Sequence, residues 1–477
     1  MTPKRSAARP PEGAKAPSGG SEPHAVGERG GFTLAQKLVA RAAGRASVAV
    51  GDIVTCSVDL AMFHDSSGPR RLKPMLEQLG AQIWDKSRVV LVMDHYVPEQ
   101  DDESRRIVRI ARDWAAEQRL PHVYDTQGIC HVVVPQHGHI RPGIFCVGGD
   151  SHSPTGGAFG AYMFGIGATE MLGVMVTGEI WLRVPQTIRM QWDGRLPRGV
   201  CAKDMMLHMI SRFGMNGGGY QAAEFCGDAV MALGMNERMT LCNMSAELGA
   251  QTGLVAPDAV TVQWLAQQAE KSRVSIQNRP LAQVKRSQAA TDLVASGFDL
   301  SHWSTDAAAI DSPDCITHRF DAATLAPQVA APHSPANTDA VTAHVGTPIA
   351  IAYIGACTGA KLDDLRAAAQ VLQGQRVAAG VRLMLAPASL RDQEAAREEG
   401  VLQTLLQAGA ELLPTTCGAC AGYGNTLEGD VTVISSTARN FRGRMGSPGA
   451  QVYLASPATV AASALRGRIS DPREVLA

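Results

Sequence analysis

The sequence predicts an α/β protein made of three successive α/β units. Short apolar runs such as residues 89–93 and 348–354 are typical of buried parallel strands. Stretches with helical spacing, such as residues 72–79 and 104–118, accompany them. Titratable residues follow several of these strands, and open α/β sheets place their ligand sites at the carboxyl ends of strands. We therefore expect the functional residues at those strand ends.

The length of the chain bounds the number of units. A chain of 477 residues is long enough for two or three domains, each with its own core. We assign α/β domains to residues 31–200, 201–318 and 319–477. Residues 1–30 are rich in Pro, Gly, Ala, Ser and charge, without an apolar segment. They predict a disordered leader and not a secretion signal.

Charge and cysteine content argue against several classes of protein. Lys and Arg number 44 and Asp and Glu 45, so a net charge of −1 gives no general attraction to nucleic acid or to an acidic membrane. No apolar run approaches the roughly 18–20 residues that a membrane helix needs. Ten cysteines without a secretion signal indicate a reducing cytoplasm, where cysteines are core residues or ligands.

The first unit shows the alternation that an α/β fold requires. Residues 33–44 predict a capped helix, 48–55 are strand-like, 61–69 predict a polar loop, and 131–134 and 145–149 predict strands.

The later units are less regular. Residues 204–213 predict a helix, and glycines 217–219 a turn. Residues 267–315 are polar and irregular, and no element is predicted there. Prolines in residues 327–335 indicate an extended crossover into the third unit, which begins with the strand at 348–354.

Three cysteines lie where ligands are expected. Cys417 and Cys420 form a CxxC pair in a glycine-containing stretch, and Cys357 lies in another loop flanked by glycines. A CxxC pair alone is shared by thioredoxin-like, zinc and iron–sulfur sites. Three thiolates would leave one iron of a [4Fe–4S] cube without a protein ligand, free to act as a Lewis acid.

Two short motifs combine carboxylates with imidazoles. In Asp94-His95 the carboxylate can orient the ring and raise its proton affinity. Asp150-Ser151-His152 places an acid, a hydroxyl and an imidazole in one turn. Each motif is equally consistent with a structural role, as a surface pair at a strand end or as a turn whose side chains cap the backbone.

Other polar residues are weaker signals. His131 is at the start of a predicted strand, where a histidine is more often a core residue. Asn243 and Glu247 are four positions apart and share a face if they lie on a helix. Arginines in residues 439–444 can grip carboxylates or belong to a solvated loop. No dinucleotide fingerprint, Walker loop or hydrolase elbow is present in the sequence.

Taken together, these motifs closely resemble the aconitase superfamily, and within it the large subunits of 3-isopropylmalate dehydratases and homoaconitases. The resemblance spans roughly residues 31–470 in the family's motif order. The motifs are Asp94-His95, Gly149-Asp150-Ser151-His152, residues 242–247, Cys357, Cys417 with Cys420, and residues 439–444. The implied fold is three α/β domains around a central iron–sulfur site, with a fourth, swivelling domain that we do not find in this sequence.

The resemblance also implies roles for individual residues. One [4Fe–4S] cluster per subunit would be held by Cys357, Cys417 and Cys420, with one open iron. The implied catalytic residues are Asp94, His95, His131, Asp150, His152 and Glu247. The implied substrate-binding residues are Ser151, Asn243, Arg439, Arg444 and, in a looser alignment, His64.

The implied reaction is the reversible dehydration or isomerisation of a hydroxy di- or tricarboxylic acid. We expect a 3-isopropylmalate dehydratase of leucine biosynthesis first, with homoaconitase, aconitase and substituted-malate dehydratase as alternatives. The family's swivelling domain carries a Gly-Ser-Ser-Arg-type loop with the catalytic base serine, and we find no such loop. We therefore expect a small swivelling-domain subunit as partner, in a heterodimer or heterotetramer.

Two further hypotheses stay open. A chain of this family that has lost the reaction could be an iron-responsive binding protein. The same cysteines with a histidine could form a structural zinc site.

The sequence departs from the family pattern beside the expected cluster. Where the family has Ser-Cys-Thr-Asn, this chain has Ala356 before Cys357 and Gly359 two positions after it. An asparagine usual in the family is Ala438 here. These changes predict altered hydrogen bonding around the cluster and favour a divergent subfamily.

Overall fold

A computed structural model of the chain describes residues 31–277, 300–423 and 427–476. The predicted leader, residues 1–30, lies outside the described residues. So do residues 278–299, within the stretch where the sequence predicts no element.

The first part of the described chain forms a five-stranded sheet. Its elements are α1 (Leu34–Ala42), β1 (Ile53–Ser57), β2 (Leu60–His64), α2 (Pro69–Leu79), β3 (Val89–Met93), α3 (Asp102–Gln118), β4 (His122–Asp125), α4 (Cys130–Gln136), β5 (Phe145–Gly148), β6 (Tyr162–Gly165), α5 (Ala168–Thr177) and β7 (Glu179–Arg183). The strands lie in the order β4-β3-β2-β5-β6, and all neighbours run parallel. β1 and β7 form a separate antiparallel pair.

The second part forms a four-stranded parallel sheet. Its elements are β8 (Thr187–Asp193), α6 (Ala202–Phe213), β9 (Ala222–Cys226), α7 (Asp228–Met231), α8 (Met235–Met244), β10 (Thr252–Leu254), α9 (Ala259–Gln277), α10 (Ala307–Ile310) and β11 (Cys315–Asp321). The strand order is β10-β9-β8-β11. All neighbouring strands of this sheet are parallel.

The third part forms a seven-stranded mixed sheet. Its elements are β12 (Gln328–Ala330), β13 (Thr338–Ala340), β14 (Ile351–Ile354), α11 (Leu362–Leu372), β15 (Arg382–Leu385), α12 (Leu390–Glu398), α13 (Val401–Gln407), β16 (Ala410–Leu412), α14 (Gly418–Ala421), β17 (Thr432–Ser435), β18 (Gln451–Ala455) and α15 (Pro457–Arg466). The order is β13-β12-β18-β17-β14-β15-β16. Strands β14 to β18 pair in parallel, and β12 pairs with both of its neighbours antiparallel.

Successive side chains of the strands in the first sheet point to opposite faces, and each face packs into its own hydrophobic core. Met62 and Val90 face a large core that extends into the second and third sheets. Phe63 and Leu91 face the other way, into a core shared with α1 and α3. The first sheet is therefore covered on both faces, as parallel sheets are. None of the helices in the described residues is long and apolar enough to cross a membrane.

The predicted elements agree with the structure in part. The capped helix is confirmed, since Thr33 Oγ1 accepts a hydrogen bond from the backbone N–H of Gln36. Residues 61–69 were expected to form a loop, but they begin inside the buried strand β2. The domain limits stay a prediction, and β8 pairs in the second sheet although it precedes residue 201.

The prediction of a strand at residues 131–134 is wrong, because these residues lie in helix α4. Three successive valines favour a strand, but the whole helix is buried, so packing overrides that preference. The backbone N–H of Cys130 donates to Asp94 Oδ2 at 2.7 Å. This bond satisfies an N–H of the first turn, as an N-cap side chain does.

Candidate active site

The carboxyl ends of three adjacent parallel strands bring together the first half of the site. His64 ends β2, Asp94 and His95 follow β3, and Asp150 follows β5 shortly after its end. Since these strands are neighbours in the order β3-β2-β5, residues far apart in the sequence meet at one edge.

Asp94 and His95 form a buried ion pair. His95 Nδ1 lies 2.7 Å from Asp94 Oδ1, and the rings of His95 and His64 stack with centroids 3.9 Å apart. Burial alone would lower the pKa of His95, but the charge and hydrogen bond of Asp94, together with the charges of Asp65 and Asp150, outweigh burial and raise this pKa to about 10. His95 is therefore a cation at neutral pH.

Asp150 holds two further histidines. Its Oδ1 lies 2.7 Å from His131 Nε2 and accepts the backbone N–H of His152 at 2.7 Å. His64 Nε2 is 3.6 Å from Asp150 Oδ2, too far for a hydrogen bond. Burial would raise the pKa of Asp150, but the charge and hydrogen bond of His131 lower it well below the usual range. Helix α4, and not a strand, presents His131 to this carboxylate.

Glu247 connects a histidine that follows the first sheet to the loop of residues 439–444, which carries the predicted substrate arginines. Its Oε1 lies 2.9 Å from His152 Nε2 and accepts a hydrogen bond from Arg439 Nε at 2.6 Å. Burial would raise the pKa of Glu247, but His152 and Arg439 lower it. Glu247 and Asn243 do not share a helix, because α8 ends at Met244 and Glu247 lies in the turn beyond it.

The third sheet supplies the cysteines from its own carboxyl edge. Cys357 follows β14, and Cys417 and Cys420 follow β16, two strands away. The backbone N–H of Cys417 donates to the carbonyl of Asp94 at 2.8 Å. Asn243 Nδ2 donates to Cys357 Sγ at 3.2 Å. The two edges therefore face each other, with the second part of the chain bridging them.

The three thiols differ in acidity. The hydrogen bond from Cys417 lowers the pKa of Cys420 to about 6, against burial and aided by the charges of Arg444 and His152. That same hydrogen bond, with burial, raises the pKa of Cys417 well above its usual value. Burial, followed by the charge of Cys420, raises the pKa of Cys357 to about 12. Cys420 is thus the thiol that is already a thiolate at neutral pH.

The spacing of the sulfurs tests which metal centre fits. Among the described residues, the groups with all ligand atoms within 4.8 Å of one another are His64, Asp65, Asp94 and His95, and His131, Asp150 and His152. The three cysteines form no such group. Two thiolates on one zinc lie at most about 4.6 Å apart, because a Zn–S bond is about 2.3 Å. The thiols are all free, and their absence from these groups argues against a single ion held by all three of them.

The predicted substrate residues lie around this centre with unused hydrogen-bonding groups. Both ring nitrogens of His64, Oε2 of Glu247 and Nε of Arg444 are buried without a hydrogen-bond partner among the described residues. Ser151 is exposed between its two buried or half-buried neighbours. Buried polar atoms without partners are rare, and at such a site they are the expected contacts of a polar ligand.

Sequence reasoning missed two members of the site. Asp65 is fully buried, and its two oxygens accept the backbone N–H groups of His95 and Tyr96 at 3.1 and 2.7 Å. Its signal was its place at the end of β2. Lys203, on α6, reaches the loops beside Cys357 and Arg439, and no motif marks it.

The structure explains one departure in the Cys357 loop. A side chain at Gly359 would collide with Ser436, since an added Cβ would lie 2.3 Å from the Ser436 hydroxyl oxygen. That hydroxyl accepts the N–H of Gly355 at 2.9 Å and donates to its carbonyl at 3.0 Å. Ser436 therefore fills the space and fixes the loop where the family carries asparagine. Ala356 adopts a left-handed φ of 69° in this loop.

Comparison with known proteins identifies the family. The family model described as "Aconitase family (aconitate hydratase)" matches residues 36–467. The chain belongs to the aconitase family. A 3-isopropylmalate dehydratase large subunit of Methanopyrus kandleri is 40% identical over 94% of this chain and 100% of its own length.

Two relatives from Methanothermobacter thermautotrophicus show how close different members of the family lie. A probable 3-isopropylmalate dehydratase large subunit is 38% identical over 92% of this chain and 99% of its own. A probable methanogen homoaconitase large subunit is 37% identical over 93% of this chain and 98% of its own. The predictions of an aconitase-like α/β fold and of a hydro-lyase are confirmed. Proteins of this family bind iron–sulfur clusters, and this chain has the buried cysteines for one.

Proposed function

We propose that this chain is the large, cluster-binding subunit of a hydro-lyase that dehydrates or isomerises a hydroxy di- or tricarboxylic acid, with 3-isopropylmalate as the first candidate. The observation that supports the proposal is the way the cysteines and the carboxylate–histidine pairs face each other. Three thiols from the third sheet face three carboxylate–histidine pairs, Asp94–His95, Asp150–His131 and Glu247–His152.

Cys357, Cys417 and Cys420 would hold a [4Fe–4S] cluster with one iron free of protein ligands. Such an iron supplies a Lewis acid for the hydroxyl and a carboxylate oxygen of the substrate. The arginines of the site, Arg439 and Arg444, bind and orient the remaining carboxylate through bidentate hydrogen bonds. Ser151 and Asn243 complete the polar wall, with Asn243 also fixing the Cys357 sulfur.

The histidines divide the work of handling protons and charge. Asp94 holds His95 as a cation, so His95 stabilises negative charge that develops on the substrate or on departing hydroxide. His131 and His152 each contact a carboxylate that can orient the ring, and a ring held in this way can move a proton to the leaving oxygen. His64, stacked on His95, offers two free ring nitrogens at the same edge.

The catalytic base would come from a second protein. The relatives are named as large subunits, and this chain contains no Gly-Ser-Ser-Arg-type loop. We propose a small swivelling-domain subunit that closes over the facing edges, in a heterodimer or heterotetramer. Because three free thiols must stay reduced to bind iron, we place the complex in the cytoplasm.

The test is anaerobic co-expression with a small swivelling-domain subunit, sought first in the reading frames beside this gene. We expect the purified complex to show the broad absorption band at about 400 nm that is typical of iron–sulfur clusters. We expect turnover of one acid among isopropylmalate, homocitrate, citrate and substituted malates. Cys357→Ser should abolish both, whereas Cys226→Ser, in the second sheet, should abolish neither. A colourless, zinc-loaded protein would contradict the cluster, and a cluster-loaded complex that converts none of the acids would contradict the reaction.

Homocitrate is the second candidate substrate. The probable homoaconitase relative is within three percentage points of the 40% identical dehydratase. The same panel separates the two, because the preferred acid has the higher kcat/KM.

A further inference from the structure

Lys203 is a buried ammonium group that joins two functional loops. Its side chain is 1% exposed, and Nζ donates to the carbonyls of Ser436 and Thr437 at 2.7 Å each and to Thr358 Oγ1 at 3.3 Å. Thr358 directly follows Cys357, and Thr437 lies two residues before Arg439. One side chain of the second part therefore clamps the loops of a cluster cysteine and of a substrate arginine.

The acceptors of Lys203 are all neutral, which sets it apart from comparable residues. Three basic side chains of the described chain are less than 2% exposed: Lys203, Arg238 and Lys361. Arg238 pairs with Asp258 at 2.8 Å and Lys361 with Asp364 at 2.7 Å. Among the residues that the structure describes, no carboxylate oxygen is within ion-pair distance of Lys203 Nζ. Cys201 and Asp364 act on Lys203 electrostatically, but burial raises the pKa of the Cys201 thiol well above its usual value, and Lys361 already neutralises Asp364.

A buried charge without an opposite charge is costly, and natural proteins retain one where an ion or ligand balances it. One acceptor of Lys203, Thr358, directly follows Cys357, and the three cysteines bring three thiolates when they hold a metal centre. We infer that Lys203 is the counter-charge of the cluster, a positioning residue that holds the Cys357 and Arg439 loops together and raises the reduction potential of the bound cluster. This inference rests on the proposed cluster.

The physical consequence concerns the charge near the cluster. A positive charge in a low-dielectric surrounding stabilises the reduced, more negative cluster, and reduction potentials follow net charge and hydrogen bonding. Removal of the charge should therefore lower the midpoint potential. Removal of a buried ion pair, which carries no net charge, should leave the midpoint potential unchanged.

The experiment compares three variants of the full chain after anaerobic reconstitution. Lys203→Gln keeps hydrogen-bond donors but removes the charge, and Lys203→Arg keeps the charge. The matched control is the double variant Arg238→Met with Asp258→Asn, which removes a buried guanidinium without changing the net charge. Midpoint potentials come from redox titrations followed by electron paramagnetic resonance, and thermal unfolding of the cluster-free proteins shows whether each variant folds.

We expect Lys203→Gln to shift the midpoint to lower potential, with Lys203→Arg and the double variant at the parental value. A folded Lys203→Gln protein that holds no cluster while Lys203→Arg holds one would equally support the inference. Equal midpoint potentials for Lys203→Gln and the parent would overturn the inference. Loss of the cluster in both Lys203 variants would also overturn it, because it would show that the site needs the shape of the lysine and not its charge. A parent chain that binds no cluster at all would instead overturn the proposed function.

Discussion

Two groups of histidines lie at opposite ends of helix α4, in opposite surroundings. The acid-paired histidines are His64, His95, His131 and His152, which lie beside Asp94, Asp150 and Glu247. The half-buried trio is His122, His137 and His139. His131 is in the first turn of α4, and His137 is the residue that ends it.

The trio meets neutral or positive partners. Tyr124 O–H lies 2.7 Å from His139 Nε2, and its ring stacks on His137 with centroids 4.0 Å apart. Arg391 Nη2 is 3.3 Å from His137 Nδ1. Burial, then Arg391, lowers the pKa of His137 to about 3, and burial, then His122, lowers the pKa of His139 to about 3. His137 and His139 are therefore neutral at any physiological pH.

The comparison shows that the partner, and not the residue type, decides what a histidine does. Burial lowers the pKa at both places. The carboxylates of Asp94, Asp65 and Asp150 outweigh burial and raise the pKa of His95 to about 10, whereas burial with Arg391 lowers the pKa of His137 to about 3. Within the first group, His95 is therefore a cation at neutral pH. In the second group, His137 ends α4 as a neutral residue.

The largest effect is expected from removing the shared carboxylate of the first group. Asp150→Asn leaves His131 without the charge that orients it, so we expect kcat of the reconstituted complex to fall by about 10²–10⁴-fold, the usual contribution of general acid–base catalysis. Cluster absorption should not change. Glu224→Gln, a buried carboxylate of the second sheet, is the control and should keep kcat within about 3-fold of the parent. A D150N complex with parental kcat would remove the functional side of the comparison.

The next largest effect is the loss of folding stability at low pH that His137 and His139 should cause. His137 and His139 have folded-state pKa values of about 3, below the usual 6.5. The stability that they contribute is complete above pH 6.5 and is lost as pH falls toward 3, because the unfolded chain binds protons first. We expect the free energy of unfolding to fall by about 1.4 kcal/mol per histidine and pH unit in that window.

The double variant His137→Gln with His139→Gln tests this expectation. It should flatten the dependence of the urea-unfolding free energy on pH between 6.5 and 4.5, measured on the cluster-free chain. His302→Gln, on the exposed surface, should leave the slope as it is. If the double variant kept the full slope, the acid sensitivity would have to come from other groups.

A smaller effect is expected from Arg391→Met. The guanidinium is the second cause, after burial, of the lowered pKa of His137. Without it, this pKa should rise toward 6.5, and the slope of stability against pH should decrease by less than in the double variant. Nuclear magnetic resonance of the imidazole protons would report the His137 midpoint directly. A midpoint that stays at the parental value would assign the low pKa to burial alone.

The smallest expected effect is at His95, whose protonation should not change between pH 6 and 8. With a pKa of about 10, His95 should show no titration between pH 6 and 8 in the folded, cluster-free chain. The stability that it contributes is complete below pH 6.5 and is lost as pH rises through 10. In urea the same imidazole should titrate near its usual value of about 6.5. A folded midpoint between pH 6 and 8 would place His95 in the same state as an unpaired histidine.

The first group was largely predictable and the second was not. Asp94, His95, Asp150 and His152 stand directly after apolar strands, so sequence alone places them at one sheet edge. The cysteine spacing and the order of motifs likewise predicted the three cysteines that would hold the metal centre. His137 and His139 carry no such pattern, because their low pKa values depend first on burial. The next cause is Arg391 for His137, more than 250 residues away, and His122 for His139.

What the sequence by itself determined is the chemistry that short stretches encode: apolar strands, the acids and imidazoles at their ends, and the CxxC pair. Tertiary structure alone decided three things. It made a helix of the valine-rich stretch at His131, it brought Lys203 against two loops more than 150 residues away, and it filled the space at Gly359 with Ser436. The physical reason is that local propensity is weak, while burial and charge depend on neighbours that only the folded chain assembles.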